Sequence, residues 1–577
     1  MGGEAAAEQR SPVVARRRPA RSGGLAMLRA QLRLPRGLLF RRALHALKRP
    51  WYASALYHWT LDGHQPTQLL LQPPDPWPGE AGLGQGICRN RFNLAGRVVA
   101  DPAPFWLPEG LDASWWAELH GFAWLRDLRA LGGDSARRRA RDLAGDWVEQ
   151  HRGPGGPAWE PATTGRRIAN CLAQFEFFAA SAELAFQDRL LDSLARQTRH
   201  LHRILPAQLS GADLIAAAKG LVYAGVCLPE SRACLRRGLA ILEEDLPRQI
   251  LADGCHIERS PAVHMAVLRD LIDLRAVLAA ARVEAPRSLS LAIEGMTPVL
   301  KLFRHGDGGL ALFNGSQEGQ AVVLDMAVQR AASRARAQMA APQSGFQRLQ
   351  CGRTLVLVDA GRPPPPGYDS HAHAGTLSFE MSHGRSRIIV NCGAQAGDAA
   401  WSRAQRATAA HSTLSLAERN SSEVLEGGGL GRRPGDVVCR REEGEGAIWL
   451  DMSHDGYRRT HGCQVARRLY LASTGDDLRG QDIVMGPLNV PFAIRFHLHP
   501  EVSAVLAEDG RTVRLRSGGG SDWRLQASGA EIALEESVYL GSGSEVRRSA
   551  QVVLQGRTAG ERTTVKWALK REVATRS

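Results

Sequence analysis

Two histidines stand two residues apart, His371 and His373, in the run HAHAGTLSFEMSHGRSRIIVNCGA, and a third, His411, ends the run RATAAH. Imidazoles spaced this way can move a proton near neutral pH or hold a transition metal. In an extended chain His371 and His373 face the same side, together with Leu377, Phe379 and Met381, so the spacing predicts both rings on the buried face of a strand. Ser-His-Gly-Arg at 382–385 predicts a turn, and the residues at 388–390 a return strand ending at Asn391. His411 opens a further strand, with Leu414 and Leu416 on the opposite parity. Three histidines and an asparagine then converge on one side of a sheet, either as a chemical centre or as unrelated polar groups at strand ends. A second group lies in DGCHIERSPAVH at 253–264, where His256, Glu258, Arg259 and His264 surround a helix start. Ser260 and Pro261 read as its N-cap and first residue. Val263, Val267, Leu271 and Leu274 share its apolar face.

These groups need two kinds of scaffold. From about residue 113 the apolar period is helical, with helices expected near 135–150, 165–183, 186–206, 211–226, 232–250, 261–282 and 287–304, separated by Gly, Pro or polar breaks. Such a series of antiparallel pairs predicts a curved α/α array. Near 345 the period becomes two. Strands are expected at 354–358, 468–471, 493–498, 512–515, 551–554 and 564–567, which makes a large antiparallel sandwich. The fold class is therefore multidomain α+β, with a basic, partly disordered arm at 1–48, a helical domain at 49–335 and a sandwich at 336–577. A cleft between the two domains is where a site is expected.

The chain has 577 residues and a formal charge of +14. Residues 1–50 hold 12 Lys/Arg against 2 Asp/Glu, a net of +10, so only +4 remains for the other 527. The high charge belongs to the arm and does not announce a basic groove. No helix-turn-helix, zinc-finger or RNP pattern points to nucleic acid. Residues 25–48 mix Leu and Arg at helical spacing. They read either as a helix on an anionic membrane surface or, preferred here, as the first helix packed on the main domain. No apolar run of 18 residues predicts a membrane span, and the arm lacks the apolar core of a signal peptide. The nine scattered cysteines contain no C-x-x-C, which argues against a disulfide framework and a thiolate zinc site.

HAHA-x-x-LSFE, followed by V-N-x-G and R-x-TAAH-x-T, resembles the C-terminal domain of heparinase II/III-like polysaccharide lyases. WEPATTGRRIAN at 159–170 resembles their helical half, an incomplete (α/α) toroid. The resemblance implies β-elimination next to a uronate in an acidic polysaccharide. That chemistry needs a neutralised sugar carboxylate, a base for the C5 proton and an acid for the leaving O4. It makes His371 the catalytic histidine of the sandwich, and His373, Asn391 and His411 the ligands of a structural zinc, with Asn391 where an Asp is usual. It puts Val263 at the catalytic Tyr position, and Ala212 and Asp213 where an Asn-His pair stands. His256 or His264 is then the expected substitute proton carrier. Arg259 and Glu258 are expected at the substrate or as a structural ion pair; Asn314 lines the cleft or caps a turn; Arg403 and Arg406 are expected anion contacts. A non-catalytic carbohydrate-binding relative is the alternative, and a hydrolase using Glu258 with Asp213 a third reading. Periplasm or cell envelope is the location the resemblance implies; without a signal peptide, cytoplasm is the alternative.

Overall fold

The computed structural model describes residues 33–395, 399–426, 428–543 and 545–572. The expected disorder of residues 1–24, and the first part of the 25–48 helix, lie outside these residues.

Seven long helices follow one another as expected: Gly133–Gln150, Pro161–Phe178, Leu184–Ile204, Gly211–Cys227, Arg232–Gln249, Pro261–Ala280 and Arg287–Leu302. Each starts within about four residues of its sequence expectation, because its apolar stripe is wide and its ends carry Pro, Gly or cap residues. Gly211–Cys227 is the central one, buried at nearly every position and packed against Pro161–Phe178, Arg232–Gln249 and Pro261–Ala280. Gly165 and Gly220 let two of these backbones touch, since a Cβ on either would overlap the other helix. A short hairpin, Arg91–Leu94 with Arg97–Ala100, precedes the array.

The C-terminal half is two antiparallel sheets. The inner one runs from Glu531–Tyr539 through Arg547–Arg557, Pro491–Leu498, Ser386–Val390, Phe379–His383 and Thr354–Asp359 to Phe346–Cys351 and Ala340–Ala341. The outer one runs from Val502–Leu506 through Thr512–Ser517, Asp522–Ser528, Arg562–Glu572, Asp477–Met485, Gln464–Leu471 and Ala447–His454 to Val437–Gly444. The inner sheet is covered on both faces, which explains why Thr354–Asp359 reads as an unbroken apolar run and is buried throughout. Leu355 and Leu357 join the helical core, whereas Val356 and Val358 face the sandwich interior.

The buried junction also carries polar groups. His305 donates or accepts at both ring nitrogens, to Glu380 Oε2 at 2.9 Å and Ser382 Oγ at 2.9 Å. Glu380 Oε1 accepts the Asn391 backbone N–H at 2.9 Å and its side-chain amide at 3.2 Å. Every oxygen of this buried carboxylate is used, as a buried charge requires.

Among the described residues no helix is long and apolar enough to cross a membrane. The nine cysteines are free, and seven are buried.

Candidate active site

The two histidines of the HAH run do not share a face. Residues 371–378 are irregular, Leu377 is left-handed (φ 62°), and the strand begins at Phe379. The turn breaks the parity on which the sequence expectation rested. His371 is exposed at the domain junction, whereas His373 is 5% exposed.

The loop that displays His371 is fixed from below. Arg406 donates to the carbonyls of Ala372 at 3.0 Å and Gly429 at 2.7 Å. Asn314 accepts the His373 N–H at 3.0 Å and donates to the Arg259 carbonyl at 2.9 Å. Asp369 accepts the Leu430 N–H at 2.9 Å and pairs with Arg433 at 2.7 Å. Gly315 packs against the His371 ring and backbone. Arg406 and Asn314 are therefore positioning residues, both buried: Arg406 is not the anion contact expected from sequence, and Asn314 follows the backbone-holding one of its two expectations and not the cleft-lining one. Arg403 is a surface residue paired with Glu426 at 2.6 Å.

The facing wall comes from the helical half. Ser210, ahead of the Gly211–Cys227 helix, donates to the Gly367 carbonyl at 2.8 Å, which ties the two domains at the lip of the cleft. Glu258 accepts the Ala212 N–H at 2.9 Å. Gly211 (φ 62°) lies so close to this carboxyl that a Cβ there would overlap it, and the Tyr368 ring stands beside the same point. Asp213 pairs with Arg166 at 2.6 Å. Both His371 and Glu258 feel the charges of this Asp213–Arg166 pair, so the four groups are electrostatic neighbours at the domain junction.

Their environments push the two titrating groups in opposite directions. Burial raises the Glu258 carboxyl to about 7, aided by Asp213 and opposed by the Ala212 N–H and Arg166. The surrounding protein lowers His371, with Arg406 and Arg166 adding to it and Asp213 opposing. His371 counts as exposed by its surface area while the protein packed around it still desolvates the imidazole, so access and a lowered affinity for protons coexist.

His256 and His264 do not reach this cleft. Both are 0% exposed. His256 Nε2 bonds Gln249 Oε1 at 3.0 Å, and its backbone N–H donates to His264 Nδ1 at 3.3 Å. His264 Nε2 donates to the Met296 carbonyl at 2.9 Å. Burial lowers them to about 3 and about 4. They are core residues, and the expectation of a substitute proton carrier among them is corrected. Arg259, 5% exposed, donates to the Ser344 carbonyl at 2.7 Å, pairs with Asp359 and lies over the Phe346 ring. It is an interdomain ion pair, with Asp359 rather than Glu258. Ser260 caps the Pro261–Ala280 helix by accepting the Val263 N–H, as expected. Val263 is half-buried against the helical core.

The zinc expectation fails on its third ligand. His373 Nδ1 and His411 Nε2 are 3.1 Å apart, a separation two zinc ligands can have. His411 Nδ1 donates to the Ala407 carbonyl at 2.8 Å. Asn391, however, accepts the Ser412 N–H at 3.0 Å and donates to Glu380, so its amide is spent inside the sheet. No group of three or more His, Cys, Asp or Glu among the described residues is placed to hold a metal. The residues present do not fit a three-ligand zinc site.

Sequence reasoning missed Tyr368 and Arg166. Arg166 lies inside the WEPATTGRRIAN run; Tyr368 follows four prolines and carries no periodic signal. A hollow of about 970 Å³ lies elsewhere, on the open face of the outer sheet around Trp449, Tyr470 and Arg479. It is the curvature of the sheet and contains none of the groups above.

A helical array followed by a two-sheet sandwich has a counterpart among solved structures. Heparinase III shares it with a TM-score of 0.68 over 93% of this chain and 92% of its own, at 16% identity. The chain belongs to the heparinase II/III-like family: the Heparinase II/III N-terminus model matches residues 123–335, and the Heparinase II/III-like, C-terminal model matches 333–568. FtsZ-localized protein C of Caulobacter vibrioides is 31% identical over 91% of this chain and 94% of its own length. A heparin-sulfate lyase of Bacteroides thetaiotaomicron is 24% identical over 29% of this chain, one quarter of its own length.

Proposed function

We propose that the cleft binds a uronate-containing polysaccharide and cleaves it by β-elimination, with His371 as base and Glu258 as acid. The observation that carries this reading is the opposed displacement of the two groups. A histidine held below its ordinary range is free to accept a proton at neutral pH. A carboxyl held at about 7 still has a proton to give. Environments that pull two titrating groups apart are how acid and base roles are assigned in one site. In this reading Glu258 protonates O4, and Arg166, still paired with Asp213, meets the sugar carboxylate with its remaining N–H groups. Asp213 counts against an anionic ligand unless Arg166 stays beside it, so the pair acts as one unit. With valine at position 263, the rate is expected to fall about 10²- to 10⁴-fold below Tyr-bearing relatives, the range a positioned acid or base contributes.

A second reading is a non-catalytic member that keeps the fold and the binding cleft. It is favoured by Val263, by the engagement of Arg259 and Arg406 in structural bonds, and by the likeness to a relative named for localisation with FtsZ rather than for catalysis. A cell-envelope site of action suits either reading. The experiment that separates them is ultraviolet absorbance of the unsaturated uronate product, with a panel of uronate polysaccharides. Growth of the absorbance that Glu258→Gln removes supports elimination. A flat trace together with measurable glycan binding supports the second reading.

A further inference from the structure

The Arg36–Tyr52 helix is attached to the body by one narrow face. Leu34 and Leu38 are buried against Gly367 in the segment leading to His371. Arg33 donates to the Gly431 carbonyl at 2.8 Å, and Arg49 reaches Glu160 at 3.7 Å. On another face stand Phe40, Leu44, Leu47 and Trp51, with exposures of 69, 37, 78 and 46%. At about 100° per residue these four fall within a stripe about 60° wide. The next short helix, Ala55–Trp59, adds Leu56 at 58% and Trp59 at 71%. Six large apolar side chains lie open to solvent within twenty residues. Soluble surfaces rarely leave so many together without an occupant.

The charge around the stripe identifies the occupant. Arg33, Arg36, Arg41, Arg42, Lys48 and Arg49 give this stretch six cations and no acid up to Trp59. On the helical wheel Arg36 and Lys48 flank the stripe on its two sides, and both are exposed. An apolar ridge with two interfacial tryptophans and a cationic border is the pattern of a helix that lies in the headgroup layer of an anionic bilayer. A protein groove would require acids to meet these cations and a concave apolar seat. A second copy of the same stripe would bring like charges together.

We propose that this face docks the protein onto a bilayer rich in anionic phospholipid. Phe40, Leu44, Leu47, Trp51 and Trp59 enter the interface, and the basic residues hold it electrostatically. Because the opposite face of the same helix rests on Gly367, docking holds the lip of the His371 cleft beside the lipid surface. This inference is independent of whether the cleft is catalytic.

The test uses the full chain and vesicles of pure phosphatidylcholine or of phosphatidylcholine with one third phosphatidylglycerol, followed by flotation. The expected result is binding to the anionic vesicles only, weakening with salt. The double variant Phe40→Glu/Leu47→Glu should lose at least tenfold in vesicle affinity while its thermal midpoint stays that of the wild type, since both side chains are exposed. No vesicle binding by the wild type overturns the proposal. Binding unchanged in the double variant also overturns it, because the basic residues ahead of the helix would then suffice. A dimer in sedimentation that the double variant dissolves, without vesicle binding, assigns the face to a second copy instead.

Discussion

Replacing Glu258 by Gln tests the electrostatics of the cleft without altering its shape. The amide oxygen can still accept the Ala212 N–H, and no Cβ is added against Gly211. Burial raises the carboxyl from 4.5 to about 7, a change of about 2.5 units, and each unit corresponds to about 1.36 kcal/mol. The folded state therefore binds more protons than the unfolded state between these values, and stability falls as pH rises through that window. The wild type carries the benefit of the protonated carboxyl fully below pH 4.5 and has lost about 3 kcal/mol of it by pH 8. The Gln variant has no such loss. Its stability relative to wild type should rise by about 3 kcal/mol from pH 4.5 to pH 8, read as the difference between urea midpoints across that range. At 5% exposure little of this is screened by solvent. A difference that stays flat across the range would refute the claim that Glu258 is held protonated, and with it the acid role.

Further expectations concern the scaffold and the family positions. Arg259→Met should cost about 3–5 kcal/mol by leaving Asp359 buried and unpaired; adding Asp359→Asn should recover part of it in a double-mutant cycle. Asn391→Asp places a second carboxylate beside Glu380 and should lower the thermal midpoint; zinc should restore it only if the new group turns toward His373 and His411, and metal analysis checks this. Val263→Tyr should raise elimination about tenfold or more if the half-buried first turn of the Pro261–Ala280 helix admits the ring, measured by product absorbance. The pH profile of kcat/KM should be a bell whose alkaline limb lies near 7, set by Glu258, and whose acid limb lies below 6.5, set by His371.

The helical and strand elements were legible because each carries its own period. Gly211–Cys227 and Thr354–Asp359 are the instructive cases: both are apolar on every side, and both prove to be central elements covered all round. The amphipathic arm shows the limit of the helix pattern. Its period predicts a helix that either packs or meets lipid, whereas the Arg36–Tyr52 helix packs with Leu38 and leaves Phe40, Leu44, Leu47 and Trp51 open. The site was less legible. His371 is legible from its motif, but its partner is not, because sequence cannot distinguish His256 and His264 from core histidines. Their burial comes from contacts with Gln249 and Met296, set by the packing of three helices. The alternation argument for His371 and His373 assumed a regular strand that the left-handed Leu377 interrupts. The ion pair of Arg259 reads from sequence as one with the adjacent Glu258, because its actual partner, Asp359, lies 100 residues away in sequence.

The most direct test of the central claim compares wild type with His371→Ala in the product-absorbance assay near pH 6.5, on the polysaccharide that binds most tightly. His371 is exposed, so the variant should fold and bind the polysaccharide like wild type. The account predicts unsaturated product from the wild type and none above background from the variant. Equal product from both would contradict it.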